Sequence, residues 1–165
     1  MNPTGFVDSD HARDPDTRRS VTGYTFTLAE APIVWQSRQQ VSVALSSMEA
    51  EYMAACAATQ EAYWLRMVLV EIGCRIHKPV ILWEDNQSCI HLAHNPNDHK
   101  RSKHIDRQYH YVREQIIAGN ISLEKIDTKN NCADIFTKPL GKADHEKFRD
   151  MMLVYKPIMH SEGES

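Results

Sequence analysis

The segment from Ser46 to Ile72 places the strongest constraint on how this chain folds. Ser46 followed by Glu49 matches a helix capping box, and Gly73 fits the stop of a helix. Between these ends, apolar residues occur on almost every side of the helix, including Ala54, Ala55, Ala57, Ala58, Leu65, Val68 and Leu69. A helix of this kind is typical of one that packs against a sheet rather than lying in solvent. The sequence therefore predicts a helix buried against a β-sheet.

The first forty residues have the alternating pattern of β-strands. Gly5–Asp10 alternates in character, and Ser20–Leu28 is rich in threonine and aromatic residues. Ile33–Ser37 follows after a break at Ala31-Pro32. Three strands with short connections favour an antiparallel meander. Further along, Pro79–Trp83 is a continuous apolar run, which predicts a central strand.

The rest of the chain alternates helices with one more strand. Asp85 and Asn86 end the central strand and cap a short helix that runs through His94. The later elements are a helix over His104–Ala118, a strand over Ile121–Ile126, a helix capped by Asn131 that runs through Phe136 until Pro139, and a helix over Ala143–Leu153. Strands separated by helices favour parallel crossovers. The predicted fold is α/β, with a mixed five-stranded sheet (three antiparallel strands, then parallel ones) and helices on both faces. We expect one domain over residues 1–154 and a polar tail over 155–165.

Composition excludes several classes of protein. The chain has 165 residues, of which 42% are hydrophobic and 25% charged, as in ordinary globular domains. Its four cysteines are far apart, so we expect neither disulfides nor a zinc site. No apolar stretch reaches membrane-spanning length and no signal-peptide pattern occurs, so we expect an intracellular protein with no membrane partner. The net charge of −3 argues, taken alone, against a nucleic-acid binder. We expect the three tryptophans to lie in the core: Trp35, Trp64 and Trp83.

Four acidic residues lie at positions where carboxylates are unusual. Asp8 lies within the first strand, Glu51 inside the buried helix, Asp85 at the end of the central strand and Asp134 near the start of a late helix. Buried carboxylates are rare unless they are paired or bind a cation. If one sheet edge gathers these four, they would repel one another, and Mg²⁺ or Mn²⁺ would relieve that repulsion. Two such ions about 4 Å apart can clamp a phosphodiester and activate water.

Each of these acids also has an ordinary explanation as a cap or turn residue. Asp8 and Asp10 are two residues apart on a strand, so either could face a metal. Glu49 and Glu51 are two residues apart on a helix, so they point in roughly opposite directions and only one can be a ligand. Glu49 also suits the capping box, and the small-residue stripe beside Glu51 favours Glu51 as the ligand.

Positive charge is concentrated after the helix that follows Asp85. Candidate substrate-binding residues in this stretch are Lys100, Arg101, Lys103, His104 and Arg107. Lysine and arginine beside a nucleic-acid backbone give affinity that does not depend on base sequence. Asn86 and Gln87 are candidates for hydrogen bonds to 2′-hydroxyls or to groove edges, with helix capping as their alternative role.

Several short motifs together resemble the ribonuclease H region of copia-type retrotransposon Pol polyproteins, from about Gly5 to Leu153. They are Gly5–Asp10, Asp14–Ser20 with Gly23-Tyr24, Ser46–Tyr52, Asp85–Ser88, Lys103–Asp106 and Ala133–Leu140. The resemblance implies a ribonuclease H-like fold and a two-metal endonuclease that cuts the RNA strand of RNA–DNA hybrids during reverse transcription. Such cleavage leaves 5′-phosphate and 3′-hydroxyl ends.

Asp8, Glu51, Asp85 and Asp134 match the four metal-binding acids of that family, which implies two Mg²⁺ ions, with Mn²⁺ as a possible substitute. The family pattern favours Asp8 over Asp10. One departure lies in the loop Asp127–Cys132, which lacks the histidine that many ribonucleases H carry there. Lys129 is the candidate phosphate contact in its place.

The resemblance also implies partners. These are an RNA–DNA hybrid and the reverse transcriptase region of the same polyprotein, and we expect the isolated domain to be monomeric. The expected location is a cytoplasmic virus-like particle or the nucleus. The alternative is a catalytically inactive or domesticated domain that acts as a nucleic-acid- or protein-binding module.

Overall fold

The computed structural model describes residues 2–95 and 106–152. Within these ranges there are five strands and four α-helices: β1 (Thr4–Asp10), β2 (Val21–Leu28), β3 (Ala31–Gln39), α1 (Ser47–Glu71), β4 (Val80–Glu84), α2 (Gln87–His94), α3 (Asp106–Ile117), β5 (Ile121–Lys125) and α4 (Lys142–Met152). Two 3₁₀ turns, Thr128–Asn130 and Cys132–Phe136, lie between β5 and α4.

The strands form one mixed sheet in the order β3-β2-β1-β4-β5. β1 pairs antiparallel with β2, and β2 with β3. On its other side β1 pairs parallel with β4, which pairs parallel with β5. The predicted five-stranded sheet, antiparallel first and parallel afterwards, is therefore confirmed. β1 is the central strand, with two strands on either side of it.

Hydrophobic clusters cover both faces of the sheet. Val7 on β1 belongs to the larger cluster, which includes most of the buried face of α1. The adjacent Phe6 points to the opposite face and packs against a smaller cluster of Cys132, Phe148 and Met152. The sheet thus has α1 on one face and the Cys132–Phe136 turn with α4 on the other.

The prediction that Ser46 caps α1 is confirmed, whereas the Glu49 carboxylate bonds one residue before the position that a capping box specifies. The Ser46 side chain accepts a hydrogen bond from the Glu49 amide at 3.2 Å, and the Glu49 carboxylate accepts one from the Leu45 amide at 3.0 Å. Gly73, just beyond the helix, has a φ of 89°, a left-handed conformation that suits glycine. None of the described helices has the length and apolar character needed to cross a membrane.

Two predictions about individual elements are wrong. The segment Cys132–Phe136 is a 3₁₀ turn rather than part of an α-helix, although Asn131 does cap it. Trp35 and Trp64 are 61% and 54% exposed, not in the core, whereas Trp83 is half-buried. Trp35 lies on the edge strand β3, and Trp64 lies on the side of α1 that the sheet does not cover. An apolar residue on a regular element is buried only where another layer covers it.

Candidate metal centre

The four predicted acids meet at one edge of the sheet, which is formed by the carboxyl ends of the inner strands β1 and β4. Asp8 lies on β1 and Asp85 directly follows β4; since these strands are neighbouring and parallel, both side chains come to the same edge. Glu51 lies in the second turn of α1, which packs on β1. Asp134 comes from the Cys132–Phe136 turn on the other face. Residues far apart in sequence therefore come together because the sheet topology places their elements side by side.

Hydrogen bonds to the sheet fix the turn that carries Asp134. The buried Asn131 side chain donates to the Val7 carbonyl at 2.9 Å. The Ser37 hydroxyl donates to the Phe136 carbonyl at 2.6 Å. The Arg13 guanidinium also donates to the Thr137 carbonyl. Contacts from β1, β3 and the β1–β2 loop thus hold this turn against the sheet.

Gly23 on β2 lets the turn approach the sheet closely. It is the register partner of Asp8 on the neighbouring strand. A Cβ atom at this position would lie 2.5 Å from Thr137 Cγ2, 2.9 Å from Phe136 Cβ and 3.2 Å from the Ala133 carbonyl. The glycine is therefore required for close packing rather than for backbone conformation, and it brings Asp134 towards Asp8.

A lysine that the sequence analysis did not single out bridges two of the acids. Lys138 Nζ lies 2.9 Å from Asp8 Oδ1 and 2.8 Å from Asp134 Oδ1. The Thr137 hydroxyl donates to the other carboxylate oxygen of Asp8. We call Asp8, Asp134 and Lys138 the lysine-bridged half of the centre. The spacing of Asp134 and Lys138, four residues apart, was a signal in the sequence, but Lys138 pairs with Asp8 only because of the tertiary fold.

Burial and ion pairing act in opposite directions in this half. Asp8 is 1% exposed, and burial raises its pKa to about 7 even though Lys138 lowers it. Burial opposes the charge of Lys138, but the carboxylates of Asp8 and Asp134 outweigh this effect and raise the lysine pKa. The ammonium is therefore held charged between the two aspartates.

A fifth acid, Glu84, lies on the other side of the centre. It is the last residue of β4, it is 0% exposed, and it follows the buried Val80 and Leu82 in alternation on the same side of the strand. That period of two was visible in the sequence, but the prediction ended the strand at Trp83. One carboxylate oxygen from each of Glu51, Glu84 and Asp85 lies within 4.8 Å of the other two. We call these three residues the uncompensated half.

Close approach perturbs the acids of the uncompensated half strongly. Burial, together with the nearby carboxylates of Glu84, Asp8 and Asp85, raises the pKa of Glu51 to about 10. Burial also raises the pKa of Glu84, although a hydrogen bond from the Asn86 amide at 2.9 Å opposes the shift. No ion pair of Glu51, Glu84 or Asp85 occurs among the residues that the structure describes.

The donor set suits a hard divalent cation. Asp8, Asp85 and Asp134 form a second group whose oxygens lie within 4.8 Å of one another, so Asp85 belongs to both groups. Carboxylate oxygens are the ligands that Mg²⁺ and Mn²⁺ prefer. Two buried oxygens, Oε2 of Glu51 and Oε2 of Glu84, have no hydrogen-bond partner in the described part of the chain. The residues present therefore fit cations at this edge.

The structure also separates the alternatives left open by the sequence. Asp10 lies outside both acidic groups and pairs with Arg13 at 3.7 Å. Glu49 is buried, and its carboxylate accepts a hydrogen bond from the Leu45 amide at the start of α1. Asp8 and Glu51 are therefore the members of each pair that face the cluster.

The candidate substrate-binding residues are only partly described. Lys100, Arg101, Lys103 and His104 lie outside the described residues. Arg107 is exposed in the first turn of α3, and Gln87 is exposed at the start of α2. The Asn86 side chain accepts hydrogen bonds from the amides of Ser88 and Cys89 at 3.0 and 3.1 Å, so it caps α2. A role for these residues in substrate binding stays a prediction.

Sequence comparison finds relatives among plant transposon proteins. The chain is 40% identical over 148 residues to the Retrovirus-related Pol polyprotein from transposon TNT 1-94 of Nicotiana tabacum, which covers 90% of this chain and 11% of that protein. It is 36% identical over 143 residues to the Retrovirus-related Pol polyprotein from transposon RE1 of Arabidopsis thaliana, covering 87% of this chain and 10% of that protein. The chain thus spans about a tenth of the length of these relatives. No family model matches the chain.

Structure comparison finds the same fold in solved proteins. LC11-RNase H1 isolated from compost matches with a TM-score of 0.62 at 15% identity, covering 82% of this chain and 92% of that one. The same enzyme in complex with an RNA/DNA hybrid matches with a TM-score of 0.62 at 12% identity, covering 82% of this chain and 94% of that one. At these identities the match is one of fold, which agrees with the mixed sheet described above.

Proposed function

Because this chain is a ribonuclease H-like domain of a copia-type Pol polyprotein, we propose that it hydrolyses the RNA strand of RNA–DNA hybrids. The observation that carries the proposal is the convergence of Asp8, Glu51, Asp85 and Asp134 on one sheet edge, in two carboxylate groups that share Asp85. Fold similarity alone would not support an activity, since one fold serves many functions. A nuclease of this kind needs a carboxylate cluster, and the cluster is present.

The proposal includes divalent cations held by these acids, with Mg²⁺ as the expected ion and Mn²⁺ as its substitute. When bound, such ions polarise a phosphodiester, lower the pKa of water and stabilise the departing oxygen. Asp85 lies in both carboxylate groups, so its role is to contribute to both cation positions. Lys138 bridges the side chains of Asp8 and Asp134, and it would have to move aside for a metal ion to bind between them.

The proposed substrate follows from charge and from the fold. LC11-RNase H1, which shares this fold, was solved with an RNA/DNA hybrid. In this chain the proposed contacts to the nucleic-acid backbone come from Lys100, Arg101, Lys103, His104 and Arg107. The proposed contacts to 2′-hydroxyls come from Asn86 and Gln87. The relatives are about ten times longer than this chain, so the reverse transcriptase region of a polyprotein is the proposed covalent partner.

Cleavage of a labelled hybrid tests the proposal. The purified chain in Mg²⁺ is expected to cut the RNA strand and to leave an all-DNA duplex intact. Asp85→Asn is expected to reduce the rate at least about 100-fold, which corresponds to about 3 kcal/mol of lost transition-state stabilisation.

Asp144→Asn is the matched control, because Asp144 is exposed on α4 and lies in neither carboxylate group. It should cleave as the native chain does. An inactive native chain that still binds hybrid would support the alternative of a binding module, and an active Asp85→Asn variant would overturn the proposed site.

A further inference from the structure

We propose that Glu84 is an additional metal ligand, and that Glu51, Glu84 and Asp85 together form a cation position distinct from the one at Asp8 and Asp134. The inference rests on the proposed function in one respect only, since it treats the same sheet edge as a metal centre. It adds a fifth carboxylate to the four that the sequence motifs indicated.

The position of Glu84 on β4 is unusual for an acid. Along this strand Val80 and Leu82 point into the core beneath α1, and Glu84 continues that row. Fully burying a carboxylate is strongly unfavourable unless it is paired, coordinated or protonated. A glutamate at the end of a core-facing row therefore needs a specific partner.

The known contacts of Glu84 account for only one of its two oxygens. Oε1 accepts the Asn86 amide hydrogen at 2.9 Å, whereas Oε2 is buried with no hydrogen-bond partner in the described ranges. The Cys89 thiol lies beside the carboxyl group, but a thiol is only a weak donor. One oxygen of this fully buried carboxylate thus lacks a strong donor, and the carboxylate itself belongs to the close group with Glu51 and Asp85.

Glu51 has a second buried carboxylate oxygen that lacks a hydrogen-bond partner among the described residues. Its Oε2 is also buried without a partner, and it belongs to the same close group as Glu84 and Asp85. Lys125 donates to the backbone carbonyl of Asp85 and not to a carboxylate in this group. Two buried oxygens of this group lack a hydrogen-bond partner, and no lysine or arginine forms an ion pair with its three carboxylates among the described residues. A divalent ion would complete such an arrangement.

The two halves of the centre differ in whether a lysine pairs with their carboxylates. Lys138 already supplies positive charge to Asp8 and Asp134, but it contacts neither Glu51 nor Glu84. We therefore expect two classes of divalent-ion site. Removing the Glu84 carboxylate should affect one class and leave the other nearly unchanged.

Ion binding to the full chain tests this directly. Mn²⁺ is titrated into metal-free protein, with the free ion followed by electron paramagnetic resonance and the heat by calorimetry, and Mg²⁺ is used in parallel. The native chain is expected to bind two ions. In Glu84→Gln, which keeps the size of the side chain and an acceptor for the Asn86 amide, we expect one ion to bind at least about 10-fold more weakly and the other to change less than about 2-fold.

Glu124→Gln is the matched control, because Glu124 lies exposed on the adjacent strand β5 and in neither carboxylate group. It should bind both ions as the native chain does. Glu84→Asp keeps the charge on a shorter side chain. The ion affinity of its affected site should therefore lie between the affinities of that site in the native chain and in Glu84→Gln. This series keeps the test valid if one variant folds poorly, which circular dichroism would reveal.

Identical binding by Glu84→Gln and the native chain would overturn the inference, as would a native chain that binds a single ion. Measuring hybrid cleavage on the same preparations separates the two proposals. Unchanged ion binding in Glu84→Gln together with native cleavage would remove Glu84 from the site and leave the nuclease function standing. Selective loss of one ion together with an inactive native chain would support the Glu84 site and overturn the nuclease function.

Discussion

The lysine-bridged half and the uncompensated half of the centre are built from the same kind of side chain, but their negative charge is balanced differently. Lys138 pairs with both Asp8 and Asp134. Glu51 and Glu84 have no such partner among the described residues, and burial and mutual repulsion raise the pKa values of both. One half therefore receives positive charge from the chain itself, whereas burial in the other half favours the protonated forms of Glu51 and Glu84 until a cation binds.

The largest expected effect concerns the pH dependence of stability in the uncompensated half. Glu51 has a folded pKa of about 10, above its ordinary value of 4.5. The folded chain therefore binds protons that the unfolded chain has lost, so the unfolding free energy of metal-free protein should fall as pH rises from about 5 to 8. Glu51→Gln should remove up to about 1.4 kcal/mol of that loss per pH unit.

Denaturant unfolding in a chelator at pH 5, 6, 7 and 8 measures this dependence, with Glu124→Gln as the control that should keep the native slope. If Glu51→Gln has the same slope as the native chain, the carboxylate of Glu51 is not the strained group that its burial implies. Saturating Mn²⁺ should also reduce the native slope, because a bound cation stabilises the carboxylate form.

A smaller effect is expected from removing the cation of the lysine-bridged half. Lys138→Met leaves Asp8 and Asp134 buried without a positive partner, so metal-free protein should lose about 2–3 kcal/mol of stability. For a chain of this size that corresponds to a fall of roughly 5–10 °C in Tm. Divalent ions should restore part of the loss, since they would supply the missing charge.

The control for this measurement is Lys142→Met, whose ammonium is exposed and lies 3.9 Å from Glu146. A surface pair of this kind contributes little, so its Tm should stay close to the native value. A Lys138→Met variant that is fully stable without metal would show that the two aspartates do not need the lysine.

The smallest of the three effects concerns packing rather than charge. Gly23→Ala places a Cβ atom against Thr137, Phe136 and Ala133, so the turn that carries Asp134 must shift away from β2. We expect a loss of about 1–2 kcal/mol. Ion affinity should fall at the lysine-bridged half and not at the uncompensated half, because the shift moves Asp134 and leaves Glu51 and Glu84 in place.

Gly141→Ala is the matched control, since a Cβ atom there meets no atom within 4 Å. Its stability and ion binding should equal those of the native chain. An equal loss of affinity at both classes of site in Gly23→Ala would mean that the halves are not independent.

Sequence reasoning predicted the fold because local signals agreed with one another. The capping box at Ser46 and Glu49 specified α1, the alternation specified the first strands and the apolar run specified β4, and short connections then limited the topology. The prediction that Trp35 and Trp64 lie in the core was wrong, because exposure depends on which sides of β3 and α1 are covered by another layer. Periodicity shows which residues share a face, but not what covers that face.

For the centre, the sequence by itself determined which carboxylates are candidates and which elements carry Asp8, Glu51 and Asp85, because both follow from the order of residues along the chain. Only the tertiary structure decided that Lys138 bridges Asp8 and Asp134, that Gly23 allows their approach and that Glu84 faces Glu51. The physical reason is that electrostatic and packing interactions depend on distance in space. Lys138 is 130 residues from Asp8 along the chain, and only the pairing of strands brings the two groups into contact.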